Sequence, residues 1–473
     1  MVGQPEQKRN GPKNILNDLD YKTWLQFQKS FERFKFNEDN LPTNFARLVD
    51  SYILFFTKKE VQGRTSSVLT NITPQKDANR EIIELKGDPL TRDWINKAQS
   101  LETRKLDYVI LKTQCLERNK GDVANDLFSW LSHRLKENAY STIFCVEKNS
   151  SYPAIWEFAN ASRTYLQLSD EKILLDENKG MQTLYALQFR NSIDKIPPKP
   201  FNHEIATAQS DFPKYIIPKP PPRKKDEVVH PAKFPEQLIK EFIKAFTQEN
   251  DWVLDIMAGT GSALIAAYET RRNSVGIELD LDFFKIAKKR LMKVNPPTRL
   301  PGFAPLHVTD IIHGDARNAK NLLSEYQGKF SYCVTSPPYW NMLHNSGSEG
   351  QRARRNKNLR LTYSESEFDV GNIHEYQRFI ATLRDLYEKV EPLLEEDGKL
   401  TVITKNVKQE GFLYTLAWDL VDELSGENGR FNFLGYTLWC QDDVPLKPFA
   451  IGHHWVSNIL HHYCLHFGRR KVG

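Results

Sequence analysis

Cysteine is scarce in this chain and carries no pairing pattern. The five cysteines in 473 residues (Cys115, Cys145, Cys333, Cys440 and Cys464) include no CxxC pair. That argues against a disulfide framework or a zinc site and for buried free thiols in a reducing compartment. Long apolar runs are missing too. No stretch approaches the roughly 18 residues needed to cross a bilayer, so no membrane partner is expected. The opening MVGQPEQKRNGPKN is polar and lacks the apolar core of a secretory signal, so a cytoplasmic location is expected. Charge of one sign is weak: the formal net charge of +5 permits a polyanionic partner without requiring one. What remains is an ordinary globular composition, 40% hydrophobic and 26% charged, long enough for two or three domains.

Proline marks the organisation. Residues 1–15 read as a disordered tail. Residues 16–200 mix helical and strand patterns and read as an α/β domain. Residues 201–235, including FPKYIIPKPPPRKKDE, read as a proline-rich linker, since that density of proline forbids regular structure. From residue 236 to 473, strands alternate with helices, the pattern of a parallel, doubly wound sheet with helices on both faces.

The two halves share a weak internal likeness. Arg104–Leu111 resembles Lys329–Val334 as a strand, Thr142–Val146 resembles Leu400–Ile403, and the aromatic-rich Leu184–Arg190 resembles Tyr463–Arg469. A degenerate repeat accounts for this, as does chance similarity between generic βαβ pieces. If it is a repeat, the first copy has Lys112-Thr113-Gln114-Cys115 where the second has Ser336-Pro337-Pro338-Tyr339, and is structural or DNA-binding.

The most informative segment is Thr335-Ser336-Pro337-Pro338-Tyr339-Trp340. It follows the apolar run Phe330–Val334, and its prolines end that strand abruptly because neither can donate to a sheet ladder. The resulting turn places a hydroxyl, backbone carbonyls and two aromatic rings at a strand's C-terminal edge, where open α/β sheets bind ligands. It suits a flat molecule with an amino group. Upstream, Val253–Met257 reads as a strand, Ala258-Gly259-Thr260-Gly261-Ser262 as a tight loop, and Ala263–Glu269 as the following helix. A second strand ends at Glu278, about 20 residues on, where a carboxylate accepts from ribose hydroxyls. The third glycine of a dinucleotide fingerprint is absent, with Leu264 in its place, and the acid Asp255 beside the loop would repel a pyrophosphate. A nucleoside carrying positive charge and no phosphate fits, namely S-adenosylmethionine (AdoMet). A turn cap is the plain alternative for Asp255. Asp315, ending Ile311-Ile312-His313-Gly314-Asp315, accepts from an adenine amino group or simply caps a helix.

These segments resemble the DNA amino-methyltransferases. VLDIMAGTGS is similar to their AdoMet motif, with Ile256-Met257 where Pro-Phe is usual; GIELD is similar to the ribose motif and HGDA to the adenine motif. His230-Pro231-Ala232-Lys233-Phe234-Pro235 resembles the segment packing around the methionine moiety, and TSPPYW resembles the catalytic motif in its N4-cytosine form. The resemblance covers residues 228–470 and implies a Rossmann-like AdoMet-dependent methyltransferase fold. It implies cofactor contacts from His230, Pro231, Lys233, Phe234, Asp255, Met257, Ala258, Gly259, Gly261, Glu278 and Asp315, with catalysis by Ser336, Pro337, Pro338 and Tyr339. The motif order, methionine segment first and catalytic turn last, departs from the common N4-cytosine order.

The chemistry suits the turn. An exocyclic amine is a poor nucleophile because its lone pair is delocalised into the ring, and two acceptors, the Ser336 hydroxyl and the Pro337 carbonyl, localise it. Tyr339 offers a stacking face for a flipped base. No metal is needed, and the histidines at 453, 454, 461, 462 and 466 lack the partners of a metal site. Methylation at ring carbon 5 would need a cysteine nucleophile after a proline, and none follows one. Trp340, Arg352, Arg354, Arg355, Lys357 and Arg360 are the expected nucleic-acid contacts, a solvated basic loop being the alternative.

The leading expectation is a prokaryotic restriction–modification or defence-associated enzyme that methylates N4 of cytosine at a specific double-stranded DNA site. A cognate endonuclease would act separately. Alternatives are DNA adenine-N6 or RNA amino-methylation, or a nucleic-acid-binding regulator without catalysis.

Overall fold

The computed structural model describes residues 16–19, 24–25, 27–75, 79–101, 104–114, 121–146, 154–177, 183–194, 213–218, 234–295, 307–340, 369–442 and 457–470. The chain forms two compact units. The first comprises residues 1–201 with 408–414 and 443–460; the second comprises 202–407, 415–442 and 461–473. The two C-terminal segments grouped with the first unit lie inside the span 236–473 that sequence patterning reads as one domain.

The first unit contains β1 (Phe31–Phe34), α1 (Phe45–Phe56), a short hairpin β2 (Glu60–Val61) and β3 (Arg64–Thr65), β4 (Ser67–Thr70) and β5 (Glu81–Glu84). There follow α2 (Arg92–Gln99), β6 (Leu106–Gln114), α3 (Gly121–Arg134), β7 (Leu135–Val146), α4 (Ala154–Ser162), β8 (Gln167–Asp176) and β9 (Thr183–Arg190). Its sheet runs β1-β8-β9-β7-β6-β4-β5. Helix α1 buries an aromatic face on this sheet, with Phe56 stacked on Tyr108 at 5.1 Å and Tyr52 edge-on to Phe144 at 5.2 Å.

The second unit contains β10 (Tyr215–Ile216), α5 (Glu236–Phe246), β11 (Trp252–Asp255), α6 (Ser262–Glu269), β12 (Asn273–Glu278), α7 (Leu281–Val294) and β13 (Thr309–His313). It continues with α8 (Ala319–Leu322), β14 (Phe330–Thr335), α9 (Tyr376–Val390) and β15 (Leu394–Thr404). After a hairpin of β16 (Val407–Gln409) and β17 (Phe412–Tyr414), which groups with the first unit from residue 408 on, come α10 (Leu416–Ser425), β18 (Phe431–Cys440) and β19 (His461–Arg469). The main sheet runs β10-β18-β19-β15-β14-β11-β12-β13. It is parallel except at β19, which pairs antiparallel with β15 and β18. The inner strand β14 is buried along its whole length, and β11 from Val253 on, because helices cover both faces.

The two sheets share one plan. Reading each from its β1 or β10 edge, the first seven strands match in order and direction, including an antiparallel third strand, β9 or β19. The segment pairs whose sequences resemble each other fall on equivalent strands: β6 with β14, β7 with β15, β9 with β19. The C-terminal ends of β4 and β6 are cross-linked in the first unit. Asn71 Nδ2 donates to the carbonyls of Gly87 and Lys112 at 2.8 Å each, the Lys112 amide donates to Asn71 Oδ1, and the Thr113 hydroxyl donates to Asp88. In the second unit the equivalent edge carries the glycine loop and the proline turn.

Asp170 on β8 ties the C-terminal segments into the first unit. It is fully buried, ion-paired to Lys408, and accepts from the Ser457 amide at 2.8 Å. Removing one partner of a buried pair strands the other charge. Asp170→Ala is therefore expected to destabilise the first unit by about 3 kcal/mol, and Asp170→Leu with Lys408→Met by markedly less. Denaturant titration of both variants checks this.

Candidate functional site

The second unit's parallel strands end together at one edge. Strand β11 stops at Asp255, whose Oδ1 accepts the Met257 amide at 3.1 Å. The chain then turns through Gly259 (φ 52°) and Gly261 (φ 78°), left-handed conformations that only glycine adopts freely, into α6. A side chain at Gly276 on β12 would meet Leu264 Cδ1 at 2.8 Å and Ala258 Cβ at 3.0 Å, so glycine lets the loop close against the strand. Arg290 on α7 fastens the loop from behind, donating to Thr260 Oγ1 at 3.1 Å and pairing with Glu236 at 2.6 Å.

Two carboxylates define the electrostatics. Asp255 is fully buried, and burial lifts its pKa to about 7 against the Met257 amide and Thr335 hydroxyl, which favour the charged form. Its Oδ2 makes no hydrogen bond of good geometry among the described residues, the Thr335 hydroxyl acting on the carboxylate from a poorer angle or distance. Glu278 accepts from the Gly259 amide at 2.7 Å and the Asp280 amide at 2.8 Å. Burial again dominates and lifts it to about 7, with repulsion from Asp280 and Asp369 adding to the rise. A buried acid with an open oxygen, beside a glycine loop, is built for a cation or a hydrogen-bond donor. AdoMet offers both, and the residues fit it.

The proline turn leaves β14 next door. Ser336 and Pro338 are half-buried, while Pro337 and Tyr339 are buried. The Ser336 hydroxyl donates to the Ile403 carbonyl at 3.0 Å, so its oxygen lone pairs are left to accept. The Tyr339 ring lies 5.6 Å from the His462 ring and 5.1 Å from the Lys405 ammonium.

The structure thus brings together Asp255, Met257, Ala258, Gly259, Gly261, Glu278 and Ser336–Tyr339. Phe234 is in the core with Leu238 and Ile239, behind the loop. Asp315 caps the short turn Ala316–Asn318 and is held by Arg317 at 2.7 Å, which is the capping alternative; a carboxylate has further acceptor sites that this pair leaves unused. For Trp340 the structure gives a different role from the nucleic-acid contact expected of it. It is 4% exposed, its indole donates to the His374 carbonyl at 3.1 Å, and it packs edge-on to Tyr376. It anchors the chain on either side of 341–368. His230, Pro231, Lys233, Arg352, Arg354, Arg355, Lys357 and Arg360 lie outside the described residues. Of the histidines, His466 is buried between the Thr401 and Thr437 hydroxyls and His462 stacks on Trp439 at 4.2 Å, both core positions. Arg290, Asp369 and Lys405 escaped sequence reading. Each acts on a segment far off in the chain, and no local spacing announces it.

Strand order, glycine loop and paired acids define a Rossmann-like methyltransferase unit. A family model described as DNA methylase matches residues 12–289, and the chain belongs to that family. Relatives include the type II methyltransferase M2.LlaDCHI of Lactococcus lactis subsp. cremoris, 41% identical over 14% of this chain and 24% of its own length. Another is the DNA adenine methyltransferase YhdJ of Escherichia coli, 30% identical over 30% of this chain and 45% of its own length. The matches thus span about a quarter to a half of these relatives. Among solved structures, a T. thermophilus 16S rRNA N2 G1207 methyltransferase is 13% identical, covering 87% of this chain and 90% of its own at a TM-score of 0.27.

The raised acids have a stability consequence. Between about pH 4 and 7 the unfolded chain has released protons that folded Asp255 and Glu278 still hold, so stability falls as pH rises through that window and levels above it. Asp255→Asn is expected to flatten this slope and raise ligand-free stability at pH 8, by up to about 4 kcal/mol. Thermal melts at pH 5, 6, 7 and 8 test it.

Proposed function

We propose that the chain transfers a methyl group from AdoMet to the exocyclic N4 amine of cytosine at a specific site in double-stranded DNA. The carrying observation is the Ser336 hydroxyl, held by the Ile403 carbonyl so that its lone pairs point away from that bond. With the Pro337 carbonyl, fixed in direction by the prolines, it makes two acceptors for the two N–H bonds of an amine. They draw the amine's lone pair out of ring conjugation and aim it. Tyr339 stacks the base once it has left the duplex. AdoMet, when bound, supplies a methyl group already activated by its sulfonium. Asp255 and Glu278 hold its cation and ribose, and the rest is orientation. A neighbouring relative named as type II methyltransferase supports a DNA substrate and a restriction–modification setting.

In this reading the first unit, with its closed edge, recognises DNA or braces the fold, and takes no cofactor. Adenine N6 is the second reading, favoured by the relative named as an adenine methyltransferase.

Unmethylated genomic DNA treated with the protein and AdoMet, then digested to nucleosides for mass spectrometry, decides between them. N4-methylcytosine is expected, falling by about 100-fold in Ser336→Ala. N6-methyladenine would move the assignment to adenine, and an unimpaired Ser336→Ala would remove the serine from the mechanism.

A further inference from the structure

Methylating an amine creates a problem that the turn's acceptors cannot solve. The target nitrogen attacks the methyl carbon, a C–N bond forms, and the C–S bond breaks with its electron pair going to sulfur. The nitrogen is left with a positive charge and one proton too many. Ser336 already carries its own proton and donates it to Ile403. A backbone carbonyl is too weak a base to hold a second. Asp255 sits on the cofactor's side of the edge, engaged with Met257.

Lys405 stands where a base is wanted. It is the first residue after β15, two positions beyond the carbonyl that grips Ser336, and its Nζ lies 5.1 Å from the centre of the Tyr339 ring. The turn is therefore attached to the Ile403–Lys405 segment near both its ends, by the serine bond and by the ring contact. Lys405 is half-buried beside the buried Tyr339 ring, so it is open to a base brought to the turn. Among the described residues no carboxylate pairs with it. Among the described residues the groups facing it are the Tyr339 ring on the turn and His462 on β19, and His462 is a buried imidazole kept neutral by desolvation, by Lys405 itself and by His461. An ammonium here has lost water and gains no counter-charge from the described residues.

Resting on the amine-methylation reading of this site, we propose that Lys405, in its neutral form, accepts the proton released by the target amine. Burial brings its pKa down to about 8, and a sulfonium bound at the same edge disfavours the ammonium further. The neutral amine is then available near physiological pH, as a general base requires. After transfer, Lys405 is an ammonium beside a neutral sulfide and sheds its proton to solvent.

The test uses the full chain, unmethylated genomic DNA and labelled AdoMet under single-turnover conditions. Lys405→Arg keeps the positive charge and the ring contact but cannot give up a proton; Lys405→Met removes both. Both are expected to lose about 100-fold in transfer rate while binding AdoMet within about threefold of the parent by calorimetry. The parent's rate should rise with pH and level above about 8. NMR of lysine-labelled protein should show one ε-amine titrating near 8 that is missing from both variants. Transfer within fivefold of the parent by either variant overturns the proposal, as does an ordinary lysine titration at position 405. If the parent methylates no DNA at all, the reading of the site falls and this proposal with it.

Discussion

The second unit is organised around two carboxylates that would be more stable anywhere else. Asp255 and Glu278 are buried at the ends of adjacent parallel strands, each lifted to about 7 by the loss of water. A core evolved for stability alone would place amides or apolar groups there. The glycine loop, the close approach at Gly276 and the Arg290 clamp hold the backbone against those acids. The ligand that repays this arrangement is a cation with hydroxyls, which is what AdoMet presents.

The same edge holds the proline turn. Prolines stop β14 and leave the Ser336 hydroxyl one partner, the Ile403 carbonyl on β15. In the proposed reading, the acceptors for the target amine are thus held by neighbouring strands of one sheet, and the acids proposed for the cofactor by the next strands along. The first unit repeats the strand plan without these parts. There Asn71 bonds to the Gly87 and Lys112 backbone, and the Thr113 hydroxyl to Asp88, at the corresponding edge. One architecture is open and charged in one copy, closed and self-satisfied in the other.

Much of this was legible in the sequence, for physical reasons. Parallel strands buried on both faces write themselves as apolar runs, so β11 and β14 stand out, and the glycines and prolines that punctuate them mark the loop and turn. The strand plan common to the two units left a trace in the sequence because equivalent strands keep similar patterns. The grouping of 408–414 and 443–460 with the first unit was not legible, because it rests on long-range bonds such as Ser457 to Asp170. Trp340 was read as a nucleic-acid contact because an aromatic after a catalytic turn has no local sign of burial; its partners His374 and Tyr376 come more than thirty residues later. Lys405 is one lysine among many until the fold sets it beside Tyr339.

The most direct measurement of the central claim is calorimetric titration of the ligand-free protein with AdoMet from pH 5.5 to 7.5. The account predicts one site per chain, with affinity rising as Asp255 and Glu278 ionise and lost in Asp255→Asn. Two sites per chain, binding unchanged by pH, or full affinity in that variant would contradict it.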